Sequence, residues 1–326
     1  MDKGKFANEL KPGDKFWGVF IISEKKIGTA KNGASFARLT LADKTGELNS
    51  FIWDKPIEKT EGIETGDAVG VAGIAEAIDR GRLRVKLEKI KKLEDSEIDL
   101  TLLVPASARD AADMMAELEG LISTIDDSHI KILLTRILDR AGFKEAFMKT
   151  PAAKGVHHNF IGGLLEHTLS VMNACNALYP AFARYGLNRD IILSGALLHD
   201  IGKILEYTSG KMIDVTAEGR LIGHIYISSK FTDEEIEGIE GFPKELRLQL
   251  IHLILSHHGQ LEFGSPKVPM TKEAIFLHMI DDLDAKLAGL NSIIDATPDS
   301  DAFSSFSNIY GRYIYTRSYT PPAEEE

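Results

Sequence analysis

The chain has 326 residues, 44% of them hydrophobic and 27% charged, with a formal net charge of -11 at pH 7. That length supports two domains with cores of their own and excludes a disulfide-stapled miniprotein or a wholly disordered chain. The single cysteine, Cys175, excludes an intrachain disulfide, and no apolar run nears the ~20 residues of a membrane span. The start of the chain carries no apolar signal core, so the expected compartment is the cytoplasm and no membrane is expected as a partner. Charge is unevenly spread. Residues 1–98 hold 18 Lys and Arg against 17 Asp and Glu, leaving 20 against 32 for the rest. A neutral front and an acidic back exclude a uniformly basic nucleic-acid coat but allow a local basic groove. Nine of the ten histidines lie between His157 and His278.

Residues 14–92 read as strands. Segments 16–23, 35–41, 48–53, 67–75 and 82–90 are rich in β-branched, aromatic or alternating residues, with turn chemistry at Asp43-Lys44-Thr45-Gly46 and Asp79-Arg80-Gly81. Five short strands in this span predict a small closed barrel over residues 1–98, most commonly an OB-fold, with an SH3-like barrel as the alternative.

Side chains alternate across a strand. Ala37, Leu39 and Leu41 therefore point inward from one strand, and Leu48, Ser50 and Ile52 from the next. Phe36, Arg38, Phe51 and Trp53 fall on the outer face. The turn at Asp43–Gly46 pairs the two strands antiparallel and gathers these four residues into one patch. Rings beside a cation suit single-stranded RNA or DNA, whose bases stack while the backbone meets Lys and Arg. The bland alternative is that these rings pack against another part of the chain. The stretch Lys25–Gly33 reads as a basic, flexible loop, and Arg80, Arg82 and Arg84 add charge. Phe16, Trp17 and Phe20 are expected in the core.

From Ser96 the apolar period becomes helical, over 107–125, 128–148, 163–178, 189–200, 218–237, 243–257 and 271–290. The organisation expected is a barrel at 1–98, a helical connector at 99–150, an all-α domain at 151–302 and a Tyr-rich tail at 303–326. Half of all tyrosines lie in that tail, which suits stacking on nucleic acid or on another subunit, the latter making a homo-oligomer.

The sharpest feature is Leu197-Leu198-His199-Asp200-Ile201-Gly202-Lys203, where an apolar helix delivers an adjacent His-Asp pair at its end. Gly162-Gly163-Leu164-Leu165-Glu166-His167-Thr168 precedes it. His224, the pair His257-His258 and Asp281-Asp282-Leu283-Asp284 follow. Imidazole and carboxylate donors together suit a divalent transition metal, while one cysteine excludes a zinc-thiolate site. Each signal alone is weak, since a lone histidine on a helix is more often structural. The ordered set is far more specific.

This pattern resembles the HD superfamily of metal-dependent phosphohydrolases, which are all-helical, over about residues 155–290. The resemblance implies His167, His199, Asp200 and Asp281 as metal ligands, with Asp284 as the alternative to Asp281. His224, His257 and His258 lie where binuclear members place further histidines. The cofactor implied is one or two divalent ions per chain, manganese first, with iron, nickel, zinc or magnesium as alternatives. Members that cleave cyclic dinucleotides follow the paired histidines with Glu-Arg and Gly-Tyr-Pro. Here His257-His258-Gly259-Gln260-Leu261-Glu262-Phe263-Gly264-Ser265-Pro266 stands instead and weighs against that activity.

A second resemblance covers nearly the whole chain. A barrel followed by this helical domain is similar to the YhaM-type 3′→5′ exoribonucleases, as are Pro151-Ala152-Ala153, His157-His158, His199–Lys203 and Ser256–Gly259 with Gly264-Ser265-Pro266. It implies hydrolysis of a single strand from its 3′ end to nucleoside 5′-monophosphates, with a metal activating water against phosphorus. Asp200 and Lys203 are the candidate catalytic groups, Lys203 stabilising phosphoryl charge or, alternatively, standing as a solvated lysine at a helix end. His157 and His158 are candidates for contacting substrate phosphate. Two rival functions remain at this point: a nucleotide phosphohydrolase with a regulatory barrel, and a single-strand-binding protein with a structural helical domain.

Overall fold

Alternate apolar residues draw the first part of the chain into five strands: β1 (Lys15–Thr29), β2 (Ser35–Asp43), β3 (Gly46–Ile52), β4 (Ala68–Ala77) and β5 (Leu83–Lys92), with a short helix α1 (Pro56–Lys59) after β3. The computed structural model describes residues 2–30, 33–78, 83–154, 159–208, 210–298 and 300–319. These form two units, Met1–Ala108 with Thr208–Asp214, and Arg109–Tyr207 with Val215–Glu326.

In the first unit the strands close in the order β1-β2-β3-β5-β4. Only β3 and β5 run parallel, with Ser50 opposite Val85. That closed five-stranded order is the OB-fold. Phe16, Phe20, Ile22, Ala37, Leu39, Leu41, Ile52, Val69, Val71, Val85 and Leu87 fill the interior. Ser50 also points inward, and its hydroxyl donates to the Leu39 carbonyl at 2.7 Å, so no hydrogen bond is lost by burying it.

Two expectations for β1 are corrected. Trp17 is 45% exposed, because Phe16 and Phe20 take the inward positions and strand alternation turns Trp17 outward. Lys25–Thr29 belongs to the strand, paired with β2 from Lys25↔Leu39 to Thr29↔Ser35 beyond an irregularity at Ile22/Glu24. The Lys25 ammonium donates to the carbonyls of Thr60 and Ile63 and is not a loop cation. Lys31, Asn32, Arg80 and Arg82 lie outside the described residues.

The second unit is helical: α2 (Ala111–Ser123), α3 (Ser128–Asp139), α4 (Phe143–Lys149), α5 (Gly163–Phe182), α6 (Arg189–Leu198), α7 (Lys203–Glu206), α8 (Ala217–Leu221), α9 (His224–Glu237), α10 (Lys244–Ser256) and α11 (Lys272–Asp295). Asp110, Asp127, Asn188 and Thr271 cap helices by accepting from backbone N–H groups of the first turn. One core, built from Leu118, Leu134, Phe147, Leu165, Met172, Leu197, Leu253 and Leu277 among others, joins α2 to α11.

Two periodic runs read as single helices are broken. Gly142 (φ +76°) separates α3 from α4, and Gly223 (φ +80°) separates α8 from α9. Both glycines adopt backbone angles that L side chains rarely take. The second break makes His224 the first residue of α9. The tail folds back on itself, Ser304 N–H donating to the Ile314 carbonyl and the Tyr310 hydroxyl to the Lys286 carbonyl.

Candidate metal centre

The five histidines of the two candidate ligand groups are each anchored through Nδ1. His167 on α5 has Nδ1 2.7 Å from Asp284 Oδ2. His199, capping α6, donates to the Ala196 carbonyl at 2.9 Å, and His257, capping α10, to the Ile254 carbonyl at 2.8 Å. His258 donates to the Phe263 carbonyl at 3.0 Å. His224 Nδ1 lies 2.9 Å from Glu206 Oε2. A carbonyl only accepts, so Nδ1 of His199, His257 and His258 carries a proton, and in the neutral ring Nε2 is the nitrogen left to ligate a metal.

These side chains form two groups whose candidate ligand atoms lie within 4.8 Å of one another: His167, His199 and Asp281, and His224, His257 and His258. Asp281 Oδ1 is 3.2 Å from His167 Nε2 and 3.7 Å from His199 Nε2. Asp200 stands between the groups. Its Oδ2 is 3.3 Å from His199 Nε2 and 3.6 Å from His167 Nε2, while its Oδ1 is 3.4 Å from His224 Nε2 and 3.6 Å from His257 Nε2.

The donor set fits a divalent metal. Asp200 Oδ1, His224 Nε2 and His257 Nε2 are buried and make no hydrogen bond. An unpartnered buried polar atom costs about 1–3 kcal/mol, and here three electron-rich atoms converge on one another. A cation among them removes that penalty. All the donors are nitrogen or oxygen, the chemistry of manganese, iron, nickel or zinc.

Charge within the centre follows from burial set against neighbours. Burial alone would lower His167, but hydrogen bonds to Asp281 and Asp284 push it up to about 9. Burial wins at His257, held well below its ordinary value, and lowers His258 as well. Burial opposes ionisation of Asp200, yet the Lys203 ammonium, His199 and His224 hold its carboxyl well below the usual range. Asp281 is lowered against the same burial by His167 and His199.

Lys203 is buried, with Nζ 2.6 Å from Asp200 Oδ2. The reading of it as a solvated helix-end lysine does not hold. Gly202 permits the close approach of α9 beside it: a Cβ there would meet the His224 carbonyl oxygen at 2.3 Å. Its N–H donates to Ser228 Oγ at 2.8 Å. The centre opens into a cleft of about 240 Å³ whose walls include His167, Asp200, Lys203, His258, Phe263 and Asp281. His157 and His158 lie outside the described residues.

On the barrel, Phe36, Phe51 and Trp53 form one outward cluster, with ring centroids 5.2 Å apart for Phe36–Trp53 and 6.2 Å for the stacked pair Phe51–Trp53. The Arg84 guanidinium lies 5.8 Å from the Phe51 centroid. Arg38 pairs with Glu24 and Arg84 with Glu76, each at 2.8 Å.

The chain matches the family model described as HD domain over residues 164–286, a span that contains every candidate ligand. It is 33% identical over 300 residues to the 3′-5′ exoribonuclease YhaM of Bacillus velezensis, covering 90% of this chain and 92% of that protein. It is 34% identical over 291 residues to the same enzyme of Bacillus subtilis, covering 88% and 89%. The chain belongs to the YhaM family. Among solved structures, the barrel is similar to the second OB-fold domain of replication protein A from Methanococcus maripaludis. That match is 22% identical, covers 28% of this chain and 95% of that one, and has a TM-score of 0.24.

Sequence reasoning missed several groups that serve this YhaM-family centre. Asp281 and Asp284 were alternatives there, whereas both take part: Asp281 faces the ligand group and Asp284 holds His167 from behind. Their spacing of three places both on one face of α11. Ser170, three residues after His167, donates to Asp284. Glu206 anchors His224 through both its Nδ1 and its backbone N–H, with no spacing signal to announce it. His278 Nδ1 donates to the His257 carbonyl at 2.7 Å.

Proposed function

We propose that this chain is a metal-dependent 3′→5′ exoribonuclease that degrades single-stranded RNA, with single-stranded DNA as a secondary substrate, to nucleoside 5′-monophosphates. One observation carries the reading: two groups of metal-ligating side chains share Asp200, and unpartnered lone pairs converge between them. The names of its relatives supply the polarity of digestion.

His167, His199, Asp200 and Asp281 would hold one divalent ion, and His224, His257 and His258, with Asp200 beside them, would hold a second. Manganese is the first choice. When bound, such ions supply an acidified water and neutralise charge on the phosphoryl oxygens. The chain's own residues do the rest. The Ala196 and Ile254 carbonyls fix the tautomers, and Asp284 and Glu206 orient His167 and His224. Lys203 spends one of its three donors on Asp200 and keeps two for phosphoryl oxygens in the cleft. Phe36, Phe51 and Trp53 stack bases of the strand, and Arg38 and Arg84 meet its backbone. Attack of water on the terminal phosphorus expels the 3′ oxygen of the preceding residue, so the phosphate leaves on the 5′ side of the mononucleotide.

The test uses 5′-labelled single-stranded RNA, circular RNA of the same sequence and free nucleotides, each incubated with manganese-loaded protein. A ladder shortening from the 3′ end, with nucleoside 5′-monophosphates by mass spectrometry, is the expected result. Hydrolysis of free nucleotides alone selects the nucleotide phosphohydrolase. Efficient cutting of the circle removes the need for an end, and predominant nucleoside 3′-monophosphates remove this direction of water attack.

A further inference from the structure

Phe263 is 61% exposed and lines the same cleft as Asp200, Lys203 and Asp281. Its backbone is held firmly. The carbonyl accepts from His258 Nδ1 at 3.0 Å, and the N–H donates to the Gln260 carbonyl at 3.1 Å. The following Ser265 is buried and donates through Oγ to the Lys267 carbonyl at 2.6 Å. At the other end of the loop, Gly259 has φ +78°, and a Cβ there would collide with the His278 ring at 2.2 Å. A loop tied down this closely nevertheless leaves its ring out of any core. Among the described residues lining the cleft, Phe263 alone carries a hydrocarbon ring; the others are imidazoles, carboxylates, an ammonium and an alanine methyl.

A flat apolar face beside a polar, metal-ligating cleft matches a nucleotide, which has a phosphate at one end and an aromatic base at the other. We propose that Phe263 is the stacking wall of a subsite for the 3′-terminal base, placing the last phosphodiester over the metal centre. The inference rests on the nuclease reading and deepens it. Because His258 is anchored by the Phe263 main-chain carbonyl, truncating the side chain leaves the histidine's hydrogen bond in place. Phe263 is thus a substrate-positioning residue separable from the metal ligands.

Two measurements on the full-length protein test this. In the first, chelator-treated protein binds an oligoribonucleotide whose 3′-terminal base is 2-aminopurine, a fluorophore quenched by stacking. Quenching at saturation is expected for the native chain and for Phe263→Tyr, and is expected to vanish in Phe263→Ala and weaken in Phe263→Leu. In the second, manganese-loaded proteins digest strands ending in an ordinary or an abasic 3′ nucleotide. The native chain should prefer the base-bearing end by about 5- to 150-fold, the span of one base–aromatic stack. Phe263→Ala should lose that preference and cut the abasic end at the native rate, with unchanged metal content. A Phe263→Ala protein that keeps the quenching, or slows equally on both ends with full metal content, overturns the subsite. Cleavage without native quenching sinks the subsite alone, whereas quenching without any cleavage sinks the nuclease reading and leaves the stacking site standing.

Discussion

In the barrel, the residues suited to binding stand outside the core: Trp53 is 47% exposed and Phe36 and Phe51 are half-buried beside it. In the helical unit the ligands are part of the interior, with His167, His199, Asp200 and His257 each at 2% exposure or less. A strand offers alternate side chains to solvent without disturbing the face that packs. A metal centre at helix ends has no such separation. His199 follows directly on Leu197 and Leu198, both fully buried, and Asp200 is tied to Lys203 inside the same wall. Substitutions in the centre should therefore change fold and function together, while those on the platform should change binding alone.

Asp200→Ala is the severest test of that contrast. It strands the Lys203 ammonium, 7% exposed, without its counter-charge. Breaking a buried pair costs about 3–5 kcal/mol. Urea unfolding of the metal-free protein should show this loss, and adding Lys203→Met should recover most of it. Neither variant should hydrolyse RNA, yet both should bind it nearly as the native chain does. Turnover at the native level in metal-scrubbed buffer after adding manganese back would remove Asp200 from the centre.

Metal removal comes next. A ligand at 100 times its Kd stabilises the folded state by about 2.7 kcal/mol. Hydrogen exchange with and without manganese should show that protection confined to α5, α6, α9, α10 and α11, with the barrel strands unchanged. Equal protection in both units would erase the distinction between them. Smaller again are Asp284→Asn and Glu206→Gln, which keep shape and remove charge behind His167 and His224. Each should weaken metal binding about 10- to 100-fold, as loss of a ligand's supporting partner does. Calorimetry should assign the Asp284 effect to one ion and the Glu206 effect to the other; identical effects on both ions would mean that the two groups are not separate sites.

The same contrast explains what could be read in advance. The inward set Ala37, Leu39, Leu41, Leu48, Ser50 and Ile52 follows from period two alone, and every member is buried. Trp17 went astray only because an apolar cluster, rather than its phase with Phe16 and Phe20, decided its placing. In the helical unit, the types and order of the ligands were legible, because His-Asp doublets and paired histidines are unusual strings. Their division of labour was not. Nothing in the adjacency of His199 and Asp200 shows that Asp200 turns one oxygen to each group. Glu206 lies 18 residues before His224 and meets it only once Gly202 lets α9 close against the turn. The break at Gly223 was visible as a glycine, but helical periodicity on both sides concealed it.

Trp53→Ala should have the smallest effect on the fold. Trp53 lies just beyond β3 with nearly half its surface in solvent, and it touches Phe36 and Phe51 rather than the barrel interior. Surface changes away from caps, cores and buried charges generally stay within about 0.5 kcal/mol. The effect on RNA should be larger than on stability, about 1–3 kcal/mol of binding if one base stacks on the ring. The chain has two tryptophans, so a Trp17→Phe background isolates the Trp53 emission. Titration with single-stranded RNA should then quench it, and raising the salt should weaken the complex as phosphate contacts are screened. Because the platform holds the strand and not the scissile phosphate, the loss should fall on KM and leave kcat near the native value. An unquenched Trp53 at saturating RNA, with native affinity in Trp53→Ala, would move strand binding off this face and leave the ring exposed for some other purpose.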